Sequence, residues 1–257
     1  MHLLITRPEP DASEMRDMLR REGHTADISP LLDIELLPPP RDVFDGVAGL
    51  VVTSRNGLRA IASSPVLADL LQRPLFVVGS GTARSARDLG FKSVTLGPAA
   101  AKDLLPVIVD AWPRMAAERG LPLSGPLLHV SGDKLSFDLE PPLAEAGIEL
   151  RRCIVYRSSV ATRLSDAALA ALAAGRYDAI VLMSPATAHS YLHIVEVNDL
   201  SAAAVQPTYL CLSKAIAACL SDLGNVRVAI AARPTIEETV ALVRQLAAQS
   251  GAKSPTK

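Results

Sequence analysis

Small polar residues follow several short apolar runs of this sequence, each at the point where an α-helical pattern begins. The N-terminus of a helix presents backbone N–H groups and the positive end of the helix dipole, so anions bind there readily. Ser, Thr and Asn are also the preferred helix N-caps. Two interpretations therefore stay open: binding of a ligand with several negative charges, or ordinary capping. The candidate binding residues are Thr53, Ser54, Asn56, Ser80, Gly81, Thr82, Ser131, Gly132, Ser184, Ala186, Thr187 and Ser213.

Four cations stand close to the same positions and would supply local positive charge. The chain as a whole does not supply it, because its 257 residues carry a net charge of −1. That balance argues against a general attraction to nucleic acid or to an anionic membrane. An aromatic content of 4% argues against a base-stacking platform. The four cations, each either a ligand contact or solvated surface, are Arg7, Arg55, Lys134 and Lys214.

One histidine pair has a spacing that metal sites use. His189 and His193 are four residues apart and would lie on one face of a helix. No third ligand accompanies them, which favours an ordinary surface helix. We therefore predict no metal site.

The cysteines indicate a reducing compartment. Cys153, Cys211 and Cys219 are odd in number, scattered and embedded in apolar runs, which is typical of core thiols and not of a disulfide framework. The sequence shows no signal-peptide pattern and no apolar run long enough to cross a bilayer. We expect a cytoplasmic protein.

Short apolar runs and helical patterns alternate along the chain, which predicts parallel strands connected by helices. The runs lack polar alternation, as strands covered on both faces do. At 257 residues and 49% hydrophobic composition, the chain suits two small α/β domains or one large one. Helices are predicted over Asp11–Glu22, Asn56–Ala62, Gly81–Leu89, Ala101–Ala117, Phe137–Glu145, Leu164–Ala174, Ala186–Val195, Lys214–Leu223 and Ile236–Ala248.

The two halves of the sequence repeat one another. Gly49–Ile61 is echoed by Ala179–Leu192, and Leu3–Ile28 is echoed by Leu127–Leu150. The first unit of the chain therefore has its partner in the middle of the chain. A tandem duplication with halves of about 1–125 and 126–250 would give this order.

Two extended segments stand at equivalent places in the halves. Leu31–Arg41 is rich in proline, and Arg151–Val160 occupies the matching position. The two could pair as an antiparallel hinge. Such a hinge would let each half exchange its leading βαβ unit with the other.

The order and spacing of seven short motifs add a family resemblance along nearly the whole chain. The chain resembles the uroporphyrinogen-III synthase family. The motifs are "ITRP" (5–8), "VVTSRNG" (51–57), "VVGSGTA" (77–83), "HVSGD" (129–133), "VY" (155–156), "MSPATA" (183–188) and "ARPTIEETV" (232–240).

The resemblance implies a particular fold. It has two flavodoxin-like three-layer α/β/α domains with parallel sheets and swapped leading βαβ units, joined by a two-stranded antiparallel linker. One lobe would comprise residues 1–34 and 159–257, and the other residues 42–153. Residues 35–41 and 154–158 would form the hinge linker.

The resemblance also implies an activity. The family closes the linear tetrapyrrole hydroxymethylbilane to uroporphyrinogen III, with inversion of ring D and loss of water, and uses no cofactor. Eight carboxylates on that substrate suit a cleft lined by helix N-termini. The implied protein is a monomer that binds neither nucleic acid nor membrane and makes at most a transient contact with the preceding pathway enzyme.

Tyr156 is the predicted catalytic residue, because the family pattern has a tyrosine at this "VY" position. Its phenol would donate a hydrogen bond to the departing hydroxyl. The alternatives are that Tyr156 only orients the substrate, or that it is a half-buried linker tyrosine that packs and bonds the backbone.

One stretch departs from the family. Where the family reads Ile-Gly-x-x-Thr-Ala, Ser213 replaces the glycine and Ile216 replaces the threonine. The change removes a hydroxyl, and Lys214 could compensate with its charge. A second hypothesis therefore stays open: a non-catalytic bilobed tetrapyrrole- or anion-binding regulatory protein of the same fold.

Overall fold

The computed structural model describes residues 1–98, 100–118, 125–233 and 235–251. The chain divides into two compact units. The first unit is formed by Met1–Asp33 together with the described residues from Ser159 onward, and the second unit is Ile34–Ser158.

Strands and helices alternate along most of the chain. The strands are β1 (His2–Ile5), β2 (Thr25–Ile28), β3 (Leu32–Leu36), β4 (Gly49–Val52), β5 (Pro74–Val78), β6 (Ser93–Gly97), β7 (Leu127–Gly132), β8 (Leu150–Val160), β9 (Ala179–Leu182), β10 (Thr208–Cys211) and β11 (Arg227–Ile230). The helices are α1 (Asp11–Arg21), α2 (Arg55–Ala62), α3 (Leu67–Leu70), α4 (Ser80–Leu89), α5 (Leu104–Glu118), α6 (Glu140–Glu145), α7 (Asp166–Ala173), α8 (Pro185–Val197), α9 (Ser201–Ala204), α10 (Lys214–Ala218) and α11 (Ile236–Gly251).

The first unit is built on a parallel sheet with strand order β11-β10-β9-β1-β2. Side chains along its strands alternate between two apolar clusters. Leu4 and Ile180 belong to a cluster with helices α7, α8 and α10, whereas Leu3 and Val181 belong to a cluster with α1 and α11. The sheet is therefore buried on both faces, which explains why its strands read as unbroken apolar runs.

The second unit has a sheet of order β3-β8-β7-β4-β5-β6. Its strands from β8 to β6 are parallel. Leu50 and Leu128 pack with α2 and α4 on one face, while Val51 and Leu127 pack with α5 and α6 on the other. Both units are thus α/β structures with parallel sheets, as the sequence predicts.

Strand β3 lies beside β8 and runs in the opposite direction. The amide of Leu37 donates to the carbonyl of Val155 at 2.8 Å, and the amide of Ala161 donates to the carbonyl of Leu31 at 3.2 Å. As the residue number rises from Leu31 to Leu37, the number of the hydrogen-bonded residue falls from 161 to 155. This opposite order is characteristic of an antiparallel pair of strands. The predicted extended segments therefore do pair.

Most predicted helices differ from the structure by one to three residues at an end, and two of the differences have a clear cause or size. The helix expected over Phe137–Glu145 begins only at Glu140, with Pro141 and Pro142 in its first turn. Proline lacks the N–H that later turns need, so the helix must start just before the pair. The helix expected over Lys214–Leu223 ends at Ala218 and continues as a 3-10 turn.

Within the described part of the chain, no helix combines the length and the apolar character that a membrane span requires.

Candidate functional site

The predicted binding residues gather at the carboxyl ends of the two sheets, one group in each unit. Because the strands are parallel, these ends share one edge in each sheet, the place where ligands of open α/β sheets bind. In the first unit the residues that follow β1, β9 and β10 are Arg7, Ser184, Ala186, Thr187, Ser213 and Lys214. In the second unit the residues at the ends of β4, β5 and β7 are Thr53, Ser54, Arg55, Asn56, Ser80, Gly81, Thr82, Ser131, Gly132 and Lys134.

Three serines at these edges cap helices, and a further bond from these hydroxyls to a ligand stays a prediction. Ser54 Oγ accepts from the Asn56 amide at 3.2 Å and begins α2. Ser184 Oγ accepts from the Thr187 amide at 3.1 Å and begins α8. Ser213 Oγ accepts from the Ile216 amide at 3.4 Å and begins α10.

The cap of α8 leaves one amide at its start for another acceptor. Ser184 and Thr187 form a reciprocal capping box, because the Ser184 amide also donates to Thr187 Oγ1 at 3.2 Å. Pro185 has no N–H. The N–H of Ala186, an exposed residue, is therefore the donor in this first turn that the cap does not use.

Helix α4 starts without any side-chain cap. Its N-cap is Gly79, with φ of 79°, and no side chain bonds to the first-turn amides. Ser80 and Gly81 are exposed, whereas Thr82 is buried. A Cβ added at Gly81 would meet nothing within 4 Å. Packing therefore gives no reason for a glycine in this helix, and the backbone there is open to a ligand.

Gly57, in the "VVTSRNG" motif, has a packing role. A Cβ on this residue would lie 2.9 Å from the carbonyl oxygen of Val130 and 3.1 Å from Cγ1 of Val52. Helix α2 therefore approaches strand β7 more closely than any side chain would allow.

Tyr156 lies over Gly132. The pairing of β7 with β8 shifts register here, from Ser131 opposite Ile154 to Gly132 opposite Tyr156. Such an irregularity re-aims a side chain. A Cβ on Gly132 would lie 2.5 Å from both Cε2 and Cζ of the Tyr156 ring. Gly132 thus makes room for the tyrosine, a role that the sequence prediction of a binding residue did not include.

Arg152 is a residue that sequence reasoning missed. Its Nε donates to Ser131 Oγ at 2.9 Å, and its NH2 donates to the carbonyls of Gly132 at 2.7 Å and Asp133 at 2.9 Å. Nothing in the sequence distinguishes it from its neighbour Arg151, which bonds only to Glu149 among the contacts described. Ser131, a predicted ligand contact, is fully buried and already bonded to Arg152.

Lys134 follows strand β7 as predicted but bonds to the protein. Its Nζ donates to the carbonyl of Ser158 at 3.1 Å, while the Ser158 amide donates to Asp133 Oδ1 at 3.1 Å. The pKa of the Asp133 carboxyl is lowered: partial desolvation acts to raise it, but the Ser158 amide and the charge of Lys134 outweigh that effect. The turn after β7 is thereby tied to the end of β8.

Arg7 is buried and ion-paired, so its charge is largely compensated within its own unit. Its NH2 lies 2.8 Å from Asp11 Oδ2, in the first turn of α1. Lys214, by contrast, is exposed at the first position of α10. Of these two predicted cations in the first unit, Lys214 is better placed to reach an anionic ligand.

A buried histidine lies behind the edge of the second unit. His129, 2% exposed in the middle of β7, has Nε2 3.4 Å from Thr53 Oγ1. Burial above all, and then the positive charge of Arg152, lower its pKa to about 4 against the opposing effect of Asp138. His129 is therefore neutral at pH 7. Its Nε2 and the Thr53 hydroxyl form a hydrogen bond between two uncharged groups.

His189 and His193 are both exposed on α8. Among the described residues, no group of three or more His, Cys, Asp or Glu side chains could hold a metal ion.

Comparison with known families decides the relationship of this chain. A family model described as uroporphyrinogen-III synthase HemD matches residues 13–241. The chain belongs to the uroporphyrinogen-III synthase family. The resemblance carried by the seven short motifs is thereby confirmed. No curated protein matches the chain significantly.

Two solved structures of the family have the same fold. A mutant uroporphyrinogen III synthase from the extremely thermophilic bacterium Thermus thermophilus is 17% identical, with a TM-score of 0.58 over 97% of this chain and 99% of that one. The uroporphyrinogen-III synthetase of Helicobacter pylori is 18% identical, with a TM-score of 0.61 over 95% of this chain and 99% of that one. At these identities the likeness concerns the fold alone.

The stretch that departs from the family pattern is accommodated by the fold. Ser213 has φ of −157°, an extended conformation that does not need glycine, and its hydroxyl caps α10. Ile216 is 3% exposed and belongs to the apolar cluster of the first unit. The lost threonine hydroxyl is therefore replaced by core packing.

Proposed function

We propose that this protein is a uroporphyrinogen-III synthase that closes hydroxymethylbilane to uroporphyrinogen III with inversion of ring D. The observation that carries the proposal is the family match over residues 13–241. The reaction class is a cyclising hydro-lyase, since one water leaves for each molecule closed. No cofactor is required, and the protein acts as a monomer in the cytoplasm, with no nucleic acid or membrane.

The proposal includes two flavodoxin-like domains with swapped leading units. The first unit has strand order β2-β1-β9-β10-β11, and the second has β8-β7-β4-β5-β6 beside β3. When each sheet is numbered from its own leading βαβ unit, both orders become 2-1-3-4-5, the flavodoxin-like order. The leading unit β1-α1-β2 is separated in sequence from β9, and β7-α6-β8 follows β4 to β6, which supports the exchange. Residues 35–41 and 154–158 would form the linker.

Helix N-termini at the two edges would bind the carboxylates of the substrate. The uncapped start of α4 offers the amides of Ser80, Gly81 and Thr82, and α8 offers the amide of Ala186. Lys214 would add a positive charge in the first unit. The capping serines hold the helix starts in place and would bond to the ligand with their remaining capacity.

Catalysis would depend mainly on orientation. The bond between the hydroxymethyl carbon and its oxygen breaks, the oxygen leaves as water after gaining a proton, and the remaining azafulvene is attacked by the substituted position of ring D. The resulting spiro intermediate reopens and closes with ring D inverted. Tyr156 would donate a hydrogen bond to the departing oxygen.

The deciding experiment is product analysis. The purified protein is incubated with enzymatically generated hydroxymethylbilane, and the oxidised uroporphyrins are separated by isomer. Predominantly type III product is the expected result. Type I alone, the product of spontaneous closure, would contradict the proposal and support the non-catalytic binding protein instead, for which the Ser213–Ile216 departure is the sequence argument.

A further inference from the structure

The Arg152 guanidinium makes three hydrogen bonds to the protein although the residue is exposed. Two of its nitrogens make three hydrogen bonds, all to consecutive residues at the end of β7: Ser131 Oγ and the carbonyls of Gly132 and Asp133. The rigid fork of a guanidinium can satisfy several acceptors at once, which the single ammonium of lysine does with much poorer geometry. Arg152 therefore fixes the conformation of this turn.

One peptide group of the turn is held at both ends. The carbonyl of the peptide between Gly132 and Asp133 accepts from Arg152 NH2 at 2.7 Å. The N–H of the same peptide donates to the carbonyl of Tyr156 at 3.0 Å. Because the peptide is planar, a bond at its oxygen and a bond at its nitrogen together fix its orientation.

This peptide begins at Gly132, the residue against which the Tyr156 ring packs. Cε2 and Cζ of the ring lie 2.5 Å from the place that a Cβ of Gly132 would take. The ring thus rests against Gly132 on the side where a Cβ would stand, and a change in the ψ angle of Gly132 at this peptide would alter the backbone surface that supports the ring. Strand β8 contributes both Arg152 and Tyr156, and the turn after β7 links the two.

We propose that Arg152 is a positioning residue for Tyr156, acting through the backbone of Gly132 and Asp133. The inference deepens the proposed function, since it rests on a role for Tyr156 in the closure reaction. Arg152 need not touch the substrate.

The kinetic test compares two neighbouring arginines. Arg152→Lys keeps the charge but loses the fork, and about a tenfold fall in kcat with KM nearly unchanged is expected, because misplaced reacting groups cost rate. Arg151→Lys is the matched control on the same strand, since the described contact of Arg151 is to exposed Glu149 and not to the turn, and it should leave kcat unchanged. Equal effects of the two substitutions would overturn the inference while leaving the proposed function intact.

A double-mutant cycle tests the route through Tyr156. If Arg152 acts through the tyrosine hydroxyl, Arg152→Lys should cause no further loss of kcat in a Tyr156→Phe background. Losses that multiply would show that Arg152 acts independently, which would overturn the inference. Should Arg152→Lys fail to fold, Ser131→Ala removes the acceptor of one of the three bonds, and a smaller loss of kcat with the same non-additivity is expected.

A structural measurement keeps the inference testable without activity. The Tyr156 ring should shift the NMR resonance of a Gly132 α-proton through its ring current. Arg152→Lys should move that resonance, and Arg151→Lys should not. If the wild-type protein yields only type I uroporphyrin, the proposed function fails and this shift alone decides the positioning role. An unchanged resonance in Arg152→Lys would overturn it.

Discussion

At the scale of single residues, three glycines from the family motifs have three different physical reasons. Gly57 allows α2 to approach β7, and Gly132 makes room for a tyrosine ring. Gly81 has open space around it in helix α4. Of these three glycines, only Gly81 has no neighbouring atom that would exclude a side chain. Contact of its backbone with a ligand is therefore the remaining explanation for the glycine.

Gly81→Ala should separate stability from binding. Alanine is the better helix former, so we expect the free energy of unfolding to rise by about 0.5 kcal/mol. A methyl group at the uncapped start of α4 should at the same time raise KM for hydroxymethylbilane about fivefold, as losing about 1 kcal/mol of binding does. Urea unfolding and steady-state kinetics on the same preparation measure both. An unchanged KM would exclude this amide group from the binding site.

Tyr156→Phe should lower turnover about tenfold or more if the hydroxyl donates to the departing oxygen, as we propose. Its ring, which packs on Gly132, is kept, so product affinity should change little. The rate of type III formation and the dissociation constant of uroporphyrinogen III provide the comparison. Equal losses in both would mean that the hydroxyl only binds.

At the scale of elements, the helices that begin at the strand ends differ in how their first turns are capped. Serine caps start α2, α8 and α10 at the strand ends, whereas α4 starts at a bare glycine. The four helices stand at equivalent places in the two repeats, and they differ in length as well as in the residue that caps them. The first-turn amides of α4 lack a side-chain acceptor because the N-cap is Gly79, which lies at a backbone position with positive φ.

Gly57→Ala should destabilise the packing of α2 on β7. The added Cβ would approach the Val130 carbonyl at 2.9 Å, and a backbone oxygen in the middle of a sheet cannot move aside cheaply. We expect a loss of about 1–3 kcal/mol in the free energy of unfolding, as overpacking costs. Chemical denaturation checks this, with Gly81→Ala as a control of opposite sign in another helix. An unaltered denaturation midpoint would show that the helix shifts freely.

At the scale of the whole molecule, the second unit is one continuous segment inserted into the first. Both apolar clusters of the second unit are drawn from residues 43–156. The clusters of the first unit need residues from both ends of the chain, since β1 lies beside β9 in its sheet. The two units therefore differ in whether a single fragment contains their core.

A fragment of residues 34–158 should fold alone. It contains the whole core of the second unit, so we expect native-like circular dichroism and a cooperative thermal transition. The matched fragment 159–257 lacks β1 and should remain largely unfolded, because β9 would lose one of its two neighbours. A non-cooperative transition in the first fragment would contradict this account of the core.

Acid should lower the free energy of unfolding through protonation of His129. Its folded pKa of about 4 lies below the unfolded value of 6.5, so the unfolded state takes up the proton first. The stabilisation is complete above pH 6.5 and is lost as the pH falls towards 4, by about 3 kcal/mol in total. His129→Gln has no proton to gain and should reduce this slope in urea titrations between pH 7 and 4. Parallel pH profiles of the two proteins would place the acid sensitivity elsewhere.

The amino-acid sequence by itself determined the class of fold and the family. Parallel strands that are buried on both faces read as unbroken apolar runs, and serines cap the helices that follow three of them, so both features are visible in the local sequence. Predicted helix bounds were wrong where local rules compete, as at Pro141 and Pro142.

Only the tertiary structure decided which of two similar residues near the strand ends makes a close contact there. Arg152 and Arg151 look alike in the sequence, yet only Arg152 reaches the turn after β7 in the contacts described. Gly57 and Gly81 likewise look alike, yet only one faces a backbone oxygen. Such roles depend on atoms brought together from distant parts of the chain, and no local pattern encodes the distance between them.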